Sequence, residues 1–511
     1  MEKKAYLVGS GIASMASAAY MIRDGNMPGK NIHIFDAVGL KGGSLDGAGT
    51  PDKGYVLRGG RMLNFSYVCT YDLLSFIPSL TDPEKTVLDE IELFNEKFRT
   101  ASKARVIANG EITDVTSMGF SHKDRLDLIE IMLHGEDHLG EKRISDCFHP
   151  SFFETNFWYM WCSMFAFEPW HSAVEFKRYL HRFVHEFPRI NTLSGVDRTP
   201  YNQYDSIVLP LVKWLGEQGV VFEMCTQVTD LEFSPAKFVK RIHHSKGTVT
   251  VNESDIVFVT IGSMTAASTL GSMTAAPVLN TQKPVDWALW EKIALDRPEF
   301  GNPSVFDSRI EESKWESFTV TFRDPRFFQL MEEFSGNEAG SGGLVTFKDS
   351  NWLMSIVLAH QPHFINQPAN IQVCWGYGLF PDKVGNYVQK KMSECTGEEI
   401  MRELLGHLKF DESILNTCIC IPCMMPYITS QFLTRSKGDR PQVIPEGYPN
   451  IAFIGQFCEI PDDVVFTVEY SVRAAQTAVY ALLNIDKKPV PMYKGDHDPK
   501  VLFNAVKTSL K

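Results

Sequence analysis

Residues 5–36 read AYLVGSGIASMASAAYMIRDGNMPGKNIHIFD. An apolar run, Ala5 to Val8, enters a turn at Gly9 and Gly11. Small residues then follow at helical spacing, and a second apolar run ends on Asp36. The order strand, glycine turn, helix, strand, acid predicts a dinucleotide-binding βαβ unit. Gly9 permits the tight turn, and Gly11 lets a pyrophosphate approach the backbone. Ser14 takes the third glycine's place with a side chain nearly as small. Ile12 and Ala13 open the helix, whose N-terminus carries the partial positive charge that phosphates seek. Asp36 is positioned to accept hydrogen bonds from a ribose.

The next stretch, DAVGLKGGSLDG (36–47), sets Gly42, Gly43 and Ser44 at the distance beyond the acid found in flavoproteins of the glutathione reductase type. FAD is therefore the expected cofactor. Two distant segments belong to the same unit. DIVFVTIGSMT (255–265) is a buried strand ending in a small-residue turn, and NIAFIGQFCEIPDDVVFTVEYSVRAAQTAVYALL (450–483) is a strand, a loop and a long helix beginning near Thr467.

The expected fold is α/β. A discontinuous Rossmann-like FAD-binding domain occupies 1–75, 190–270 and 440–485, with an aromatic-rich helical segment over 76–189. An α+β substrate domain spans 271–439, and 486–511 forms a tail. At 511 residues and 44% hydrophobic content the chain is long enough for several cores. A net charge of −12, from 50 basic and 62 acidic residues, argues against nucleic-acid binding, which needs a basic field. The opening MEKKAYLVGSG lacks the apolar length of a signal peptide or membrane span, so a cytoplasmic protein is expected. Ten cysteines are too dilute for a disulfide scaffold. Cys418, Cys420 and Cys423 lack a second ligand pair at zinc-like spacing, so no metal is expected.

Within the aromatic block, Phe176, Tyr179, Leu180, Phe183 and Phe187 recur at three- and four-residue spacing. Lys177, Arg178, His181, Arg182 and His185 take the other face. Tyr179 is thus predicted to point inward, where its hydroxyl needs a partner or a substrate.

Several strings resemble one family. RGGRM (58–62), FWYMWCSMFAFEPWHSAVEFKRYLHRF (157–183), YNQYDS (201–206), VTIGSMT (259–265), CWGYGLFPDK (374–383), MSECTGEEI (392–400), MPYITSQF (425–432) and VFTVEYSVRAAQTAVYALL (465–483) together resemble the oleate hydratases, once called myosin-cross-reactive antigens. The resemblance implies an FAD-dependent hydro-lyase that adds water to the cis-9 double bond of a long-chain unsaturated fatty acid such as oleic acid, giving the 10-hydroxy acid. It implies catalytic roles for Tyr179, which helps activate water, and for Gln203 near the reaction centre. It also implies a cofactor environment that includes Arg58, Gly59, Gly60, Arg61, Val228, Thr260, Gly262, Ser263, Phe466, Thr467 and Ser471.

Three departures stand out. The family's proton-handling glutamate, which follows RGGR, is Met62 here. A positioned general acid or base is worth about 10²–10⁴-fold in rate, or about 3–5 kcal/mol of barrier. Met62 is either a neutral packing substitution in an active subgroup or a loss that another group makes good. Second, the threonine and asparagine that hold the substrate carboxylate in the family are Val357 and Ala359, leaving His363, with His360 nearby, as the expected anchor. Hydrogen bonds to a charged group are worth about 1.5–3 kcal/mol each, whereas the alkyl chain contributes about 0.8 kcal/mol per buried methylene. Third, many relatives carry an N-terminal extension, so both monomer and homodimer are open. Val501, Leu502, Ala505, Val506 and Ser509 form a small apolar stripe beside Lys500, Lys507 and Lys511. That pattern suits an ordinary surface helix or one resting on the inner face of an anionic membrane. A flavin-dependent double-bond isomerase or oxidoreductase, or a lipid-binding flavoprotein with weakened catalysis, would use the same pocket.

Overall fold

The computed structural model describes residues 2–511. Its first layer is a five-stranded parallel sheet in the order Ile451–Ile454, Ile256–Thr260, Ala5–Val8, Ile32–Phe35, Val221–Glu223. Three of these strands are continuous apolar runs, as expected of parallel strands covered on both faces. The Ile12–Arg23 helix buries Ala13, Ser14, Ala16, Ser17, Ala18 and Ala19, so it approaches both the sheet and the long Val468–Leu482 helix closely. Ser14 is fully buried, with its hydroxyl 3.2 Å from that of Thr260. This α/β core has the Rossmann-like order predicted from residues 5–36.

A three-stranded antiparallel sheet, Val228–Phe233, Val239–His244 and Gly247–Thr250, is inserted before the Ile256–Thr260 strand. The largest sheet has eight strands, in the order Thr269–Leu270, Cys418–Met425, Trp315–Phe322, Gln372–Gly378, Met354–Val357, Leu344–Phe347, Val106–Ala108, Glu111–Ile112. The last two come from the 76–189 segment, read as helical from sequence. They join because Thr346 and Phe347 pair in parallel with Val106 and Ile107. One face of this sheet forms a second core in which Phe318, Val320 and Phe322 meet Phe327, Ile400 and Leu404. The opposite face turns toward the dinucleotide half. There the backbone amides of Tyr55 and Leu57 donate to the hydroxyls of Thr321 (2.9 Å) and Thr319 (3.0 Å).

The aromatic block folds as two helices, Asn156–Phe165 and Ala173–Phe183, after which the chain tightens into a 3₁₀ stretch, Val184–Arg189. The charged face of the second helix is not left to solvent. Arg178 and Arg182 are buried, with Arg178 paired to Glu136 (2.7 Å) and Glu459 (2.9 Å) and Arg182 facing Asp463 at 3.5 Å. On the same helix the fully buried Glu175 meets Arg435 and Arg440, each at 3.1 Å. Burial alone would raise the Glu175 carboxyl, but the surrounding arginines hold it below the usual range. This cluster ties the helix carrying Tyr179 to the segments that precede and follow the Ile451–Ile454 strand.

In the tail, the Pro499–Ser509 helix turns Ala505 inward and leaves Leu502, Phe503, Val506 and Leu510 exposed. The predicted stripe is therefore split, because Ala505 packs against the body. No helix among the described residues is long and apolar enough to cross a membrane.

Removing one partner from a buried ion cluster leaves the others unpaired in a poorly solvated site, at a cost of about 3–5 kcal/mol. Glu175→Ala is expected to lower unfolding free energy by that amount in chemical denaturation. A loss below about 1 kcal/mol would show that the cluster does not hold this helix.

Candidate active site

Three backbone features build a phosphate cradle at the carboxyl end of the parallel sheet. Gly9 has a left-handed φ of +93°, and a Cβ there would sit 3.2 Å from Thr260 Cβ. Gly11 caps the Ile12–Arg23 helix with no side chain of its own, and a Cβ added to it meets nothing within 4 Å. The space beside Gly11 at the helix N-terminus is thus open, as close approach of an anion requires. Gly42 and Gly43 also have positive φ, and the Gly42 amide donates to the Ser10 carbonyl at 3.0 Å. A Cβ at Gly43 would lie 3.2 Å from Gly11 Cα. The second glycine pair therefore closes directly onto the first.

Asp36 does structural work beyond the role foreseen for it. One oxygen accepts from the Ser10 amide (2.7 Å) and hydroxyl (2.6 Å), and the other from the Val38 amide (2.9 Å). Its backbone carbonyl accepts from Thr226, two residues before Val228 opens its strand.

Beyond the cradle lies a largely apolar cavity. Ile12, Ser44, Arg58, Gly59, Gly60, Arg61, Phe466, Thr467 and Ser471 line it, as do Tyr179, Gln203 and Met62. Gly9, Gly11, Ala13, Ser14, Asp36, Gly42 and Gly43 stay with the cradle, and Val228, Thr260, Gly262 and Ser263 do not line the cavity. A second, smaller chamber shares Gly60, Arg61, Met62, Val357 and Trp375 with the first and adds Ala359, His360, His363, Arg198 and Thr199.

The RGGRM loop separates the two chambers. It leaves the Gly54–Leu57 strand where Thr319 and Thr321 anchor it, and Gly60 then slides under Trp375. Any Cβ at Gly60 would come within 2.8 Å of that indole, so only glycine fits. Arg58 pairs with Asp46 at 3.1 Å and donates to the Cys423 sulfur, also at 3.1 Å. Arg61 donates to the Ser44 carbonyl, and burial pulls its pKa down to about 10.

Tyr179 is 1% exposed and enclosed by Phe165, Phe167, Phe183 and Phe432. Its hydroxyl donates to the Val465 carbonyl at 2.5 Å. Burial, reinforced by Tyr67, Glu175 and Asp463, drives its pKa well above the usual tyrosine value, so it remains a neutral phenol. Gln203 buries a carbonyl oxygen that has no hydrogen-bond partner. No aspartate, glutamate or histidine lines the larger cavity among the described residues.

Sequence reasoning overlooked Gln456. Its amide donates to the Thr467 carbonyl and Ser471 hydroxyl, both at 2.8 Å, and its oxygen accepts from the Phe466 amide at 2.5 Å. It thereby holds Phe466 in a strained φ of +71° at the mouth of the Val468–Leu482 helix. Its placement just past a buried parallel strand, where such sheets bind ligands, was the available signal. Tyr67, Trp315, Trp375 and Tyr377 also line the cavity, but their spacing gave no such signal.

Cradle, parallel sheet and adjoining apolar cavity define an α/β protein with a Rossmann-type flavoprotein fold. The chain belongs to the MCRA family, whose model matches residues 2–480. It is 38% identical to an oleate hydratase of Streptococcus pyogenes serotype M49 (strain NZ131), over 99% of this chain and 89% of that one. It is 36% identical to a linoleate hydratase of Lactiplantibacillus plantarum, over 99% of this chain and 98% of that one. Among solved structures it shares its fold with cyclohexylamine oxidase from Brevibacterium oxydans (TM-score 0.54, 13% identity, covering 95% of this chain and 99% of that one). An oxidoreductase from Methanosarcina mazei is similar at TM-score 0.51 and 11% identity, covering 92% and 98%.

Asn64 in the cavity wall donates to Glu186, which His185 and Arg189 also face. Burial would raise the Glu186 carboxyl, but those two partners outweigh it and hold the pKa at about 2, against an ordinary 4.5. The carboxylate's contribution, about 3 kcal/mol, is therefore complete above pH ~4.5 and lost as pH falls toward ~2. Glu186→Gln is expected to flatten that part of the acid-denaturation profile, and an unchanged profile would show that Glu186 is not the group responsible.

Proposed function

We propose that this protein is an FAD-dependent fatty-acid hydratase that adds water across the cis-9 double bond of oleic or a related unsaturated acid, giving the 10-hydroxy acid. The observation that carries this reading is the placement of a neutral, fully buried tyrosine and an unpaired glutamine oxygen in one apolar cavity beside a dinucleotide cradle. Membership of a family with curated oleate and linoleate hydratases supports it.

Hydration breaks the alkene π bond, adds a proton to one carbon and joins hydroxide from water to the other. When bound, FAD would supply polar groups to the site and no net electrons, because adding water leaves the substrate's overall oxidation state unchanged. The paired glycines at 42–43 and the helix N-terminus at Gly11 would hold its pyrophosphate. Tyr179 spends its own hydrogen on the Val465 carbonyl, so its oxygen is left to accept a hydrogen from water and turn that water toward the alkene. Gln203 offers a second acceptor. The aromatic walls exclude bulk water, which strengthens each of these contacts. Met62 carries no proton, so the proton arrives through water held by the cavity's hydroxyls and amides. The exposed Leu502, Phe503, Val506 and Leu510, beside Lys507 and Lys511, suit contact with an anionic lipid surface from which the substrate is drawn.

Oleic acid incubated with the holo-protein in ¹⁸O-water is expected to yield labelled hydroxy acid. A shifted double bond without label would replace hydration by isomerisation. Tyr179→Phe is expected to lower turnover about 10²-fold or more while leaving flavin absorbance unchanged. An unaffected rate would assign water activation elsewhere. Met62→Glu places a carboxyl in a cavity that has none and is expected to raise turnover, by up to about 10²-fold. An equal or lower rate would show that the existing proton route is already sufficient.

A further inference from the structure

The smaller chamber holds an arginine that the structure leaves without a counter-ion. Arg198 follows the Val196–Asp197 strand, and its backbone is fastened on both sides by Asn95, whose side chain accepts from the Arg198 amide (2.9 Å) and donates to its carbonyl (2.7 Å). One guanidinium nitrogen, Nη2, donates to Thr100 Oγ1 at 3.0 Å. The other two, Nε and Nη1, are sealed from solvent and have no hydrogen-bond partner. No aspartate or glutamate lines this chamber among the described residues. An unneutralised buried cation is costly, so a site that keeps one is built for an anion.

The surroundings narrow the anion's class. Burial and the nearby Arg198 charge both lower the His360 and His363 rings, His363 to about 4, so at neutral pH they are uncharged and leave Arg198 as the chamber's one charged partner besides Arg61. His360 is further boxed by Phe94 and Phe98, at ring distances of 5.1 and 4.4 Å. The wall shared with the larger cavity is apolar at Met62, Val357 and Trp375, with the Arg61 guanidinium beside them. A small anionic head joined to a long apolar chain fits this arrangement, whereas a compact hydrophilic anion would leave the apolar wall unused.

We propose that Arg198 anchors the substrate's carboxylate through its free Nε and Nη1 donors and so makes the protein selective for fatty acids over neutral lipids of the same chain. This rests on the fatty-acid substrate proposed above. It accounts for head-group binding in a chain whose positions 357 and 359 are valine and alanine, which offer no side-chain hydrogen bond.

The test compares oleic acid with oleyl alcohol, which has the same chain and an uncharged head. Both are titrated into the holo-protein by calorimetry, for the unaltered chain, Arg198→Met and Arg198→Lys. The unaltered protein is expected to bind the acid about 10- to 100-fold more tightly than the alcohol, the range of one or two hydrogen bonds to a charged group. Arg198→Met is expected to bring that ratio near one by weakening acid binding alone, and Arg198→Lys to keep an intermediate ratio. Because the readout is a ratio within one sample, partial loss of folded protein does not alter it. If Arg198→Met does not fold, the lysine variant decides: a ratio equal to that of the unaltered protein overturns the proposal. An unchanged ratio in Arg198→Met, or no acid preference in the unaltered protein, also overturns it. Hydroxy acid formed without any dependence on Arg198 would overturn the anchor and keep the reaction. Arg198-dependent acid binding with no hydroxy acid formed would support the anchor and overturn the reaction.

Discussion

The amides of Tyr55 and Leu57 donate to the hydroxyls of Thr321 and Thr319 across the boundary between the dinucleotide half and the eight-stranded sheet. These bonds join strand backbone to side chains standing on a sheet face, a position where main-chain pairing is not available. They set the height and direction at which the chain leaves Leu57, and hence where the Arg58–Met62 loop enters. Gly60 can lie under Trp375 only because the hairpin is held at that height, and the two chambers meet at this contact.

A second constraint acts from the other side. The Glu175, Arg178, Arg435, Arg440 and Glu459 cluster fastens the helix carrying Tyr179 to chain segments more than 250 residues away. Buried ion pairs repay their desolvation only with good geometry and satisfied partners. They are well suited to holding one orientation, since a rotated helix would leave several charges unpaired. Tyr179 needs such an orientation, because its hydroxyl must reach the Val465 carbonyl while its oxygen stays open to the cavity.

Between these two constraints the polar groups of the cavity are few and distinct in kind. The larger cavity has phenols, amides, hydroxyls and the Arg58 and Arg61 guanidiniums but no carboxylate or imidazole among its described lining residues. The smaller shares Arg61 and adds two neutral imidazoles and the Arg198 guanidinium, which has no counter-ion. The two chambers thus differ in their chemistry, and Met62 stands where they join.

Much of the fold was legible from local pattern. The glycine turn at 9–11, the small residues of the following helix and the acid at 36 obey rules set by nearest neighbours along the chain. So do the inward spacing of Phe176, Tyr179 and Phe183 and the start of the long helix near Thr467. What neighbours along the chain do not determine was settled by tertiary structure. The spacing placed Arg178 and Arg182 on the face opposite Tyr179 but could not show their burial, because their acidic partners Glu459 and Asp463 lie some 280 residues on. The strand Val106–Ala108, and with it the short Glu111–Ile112 strand that pairs back onto it, was absorbed into a helical segment because the sheet it joins, at Leu344–Phe347, lies about 240 residues on. Arg198 was passed over for a related reason. A missing counter-ion is a property of the volume around a side chain, so it can be recognised only once every element that might have supplied one has been packed in place.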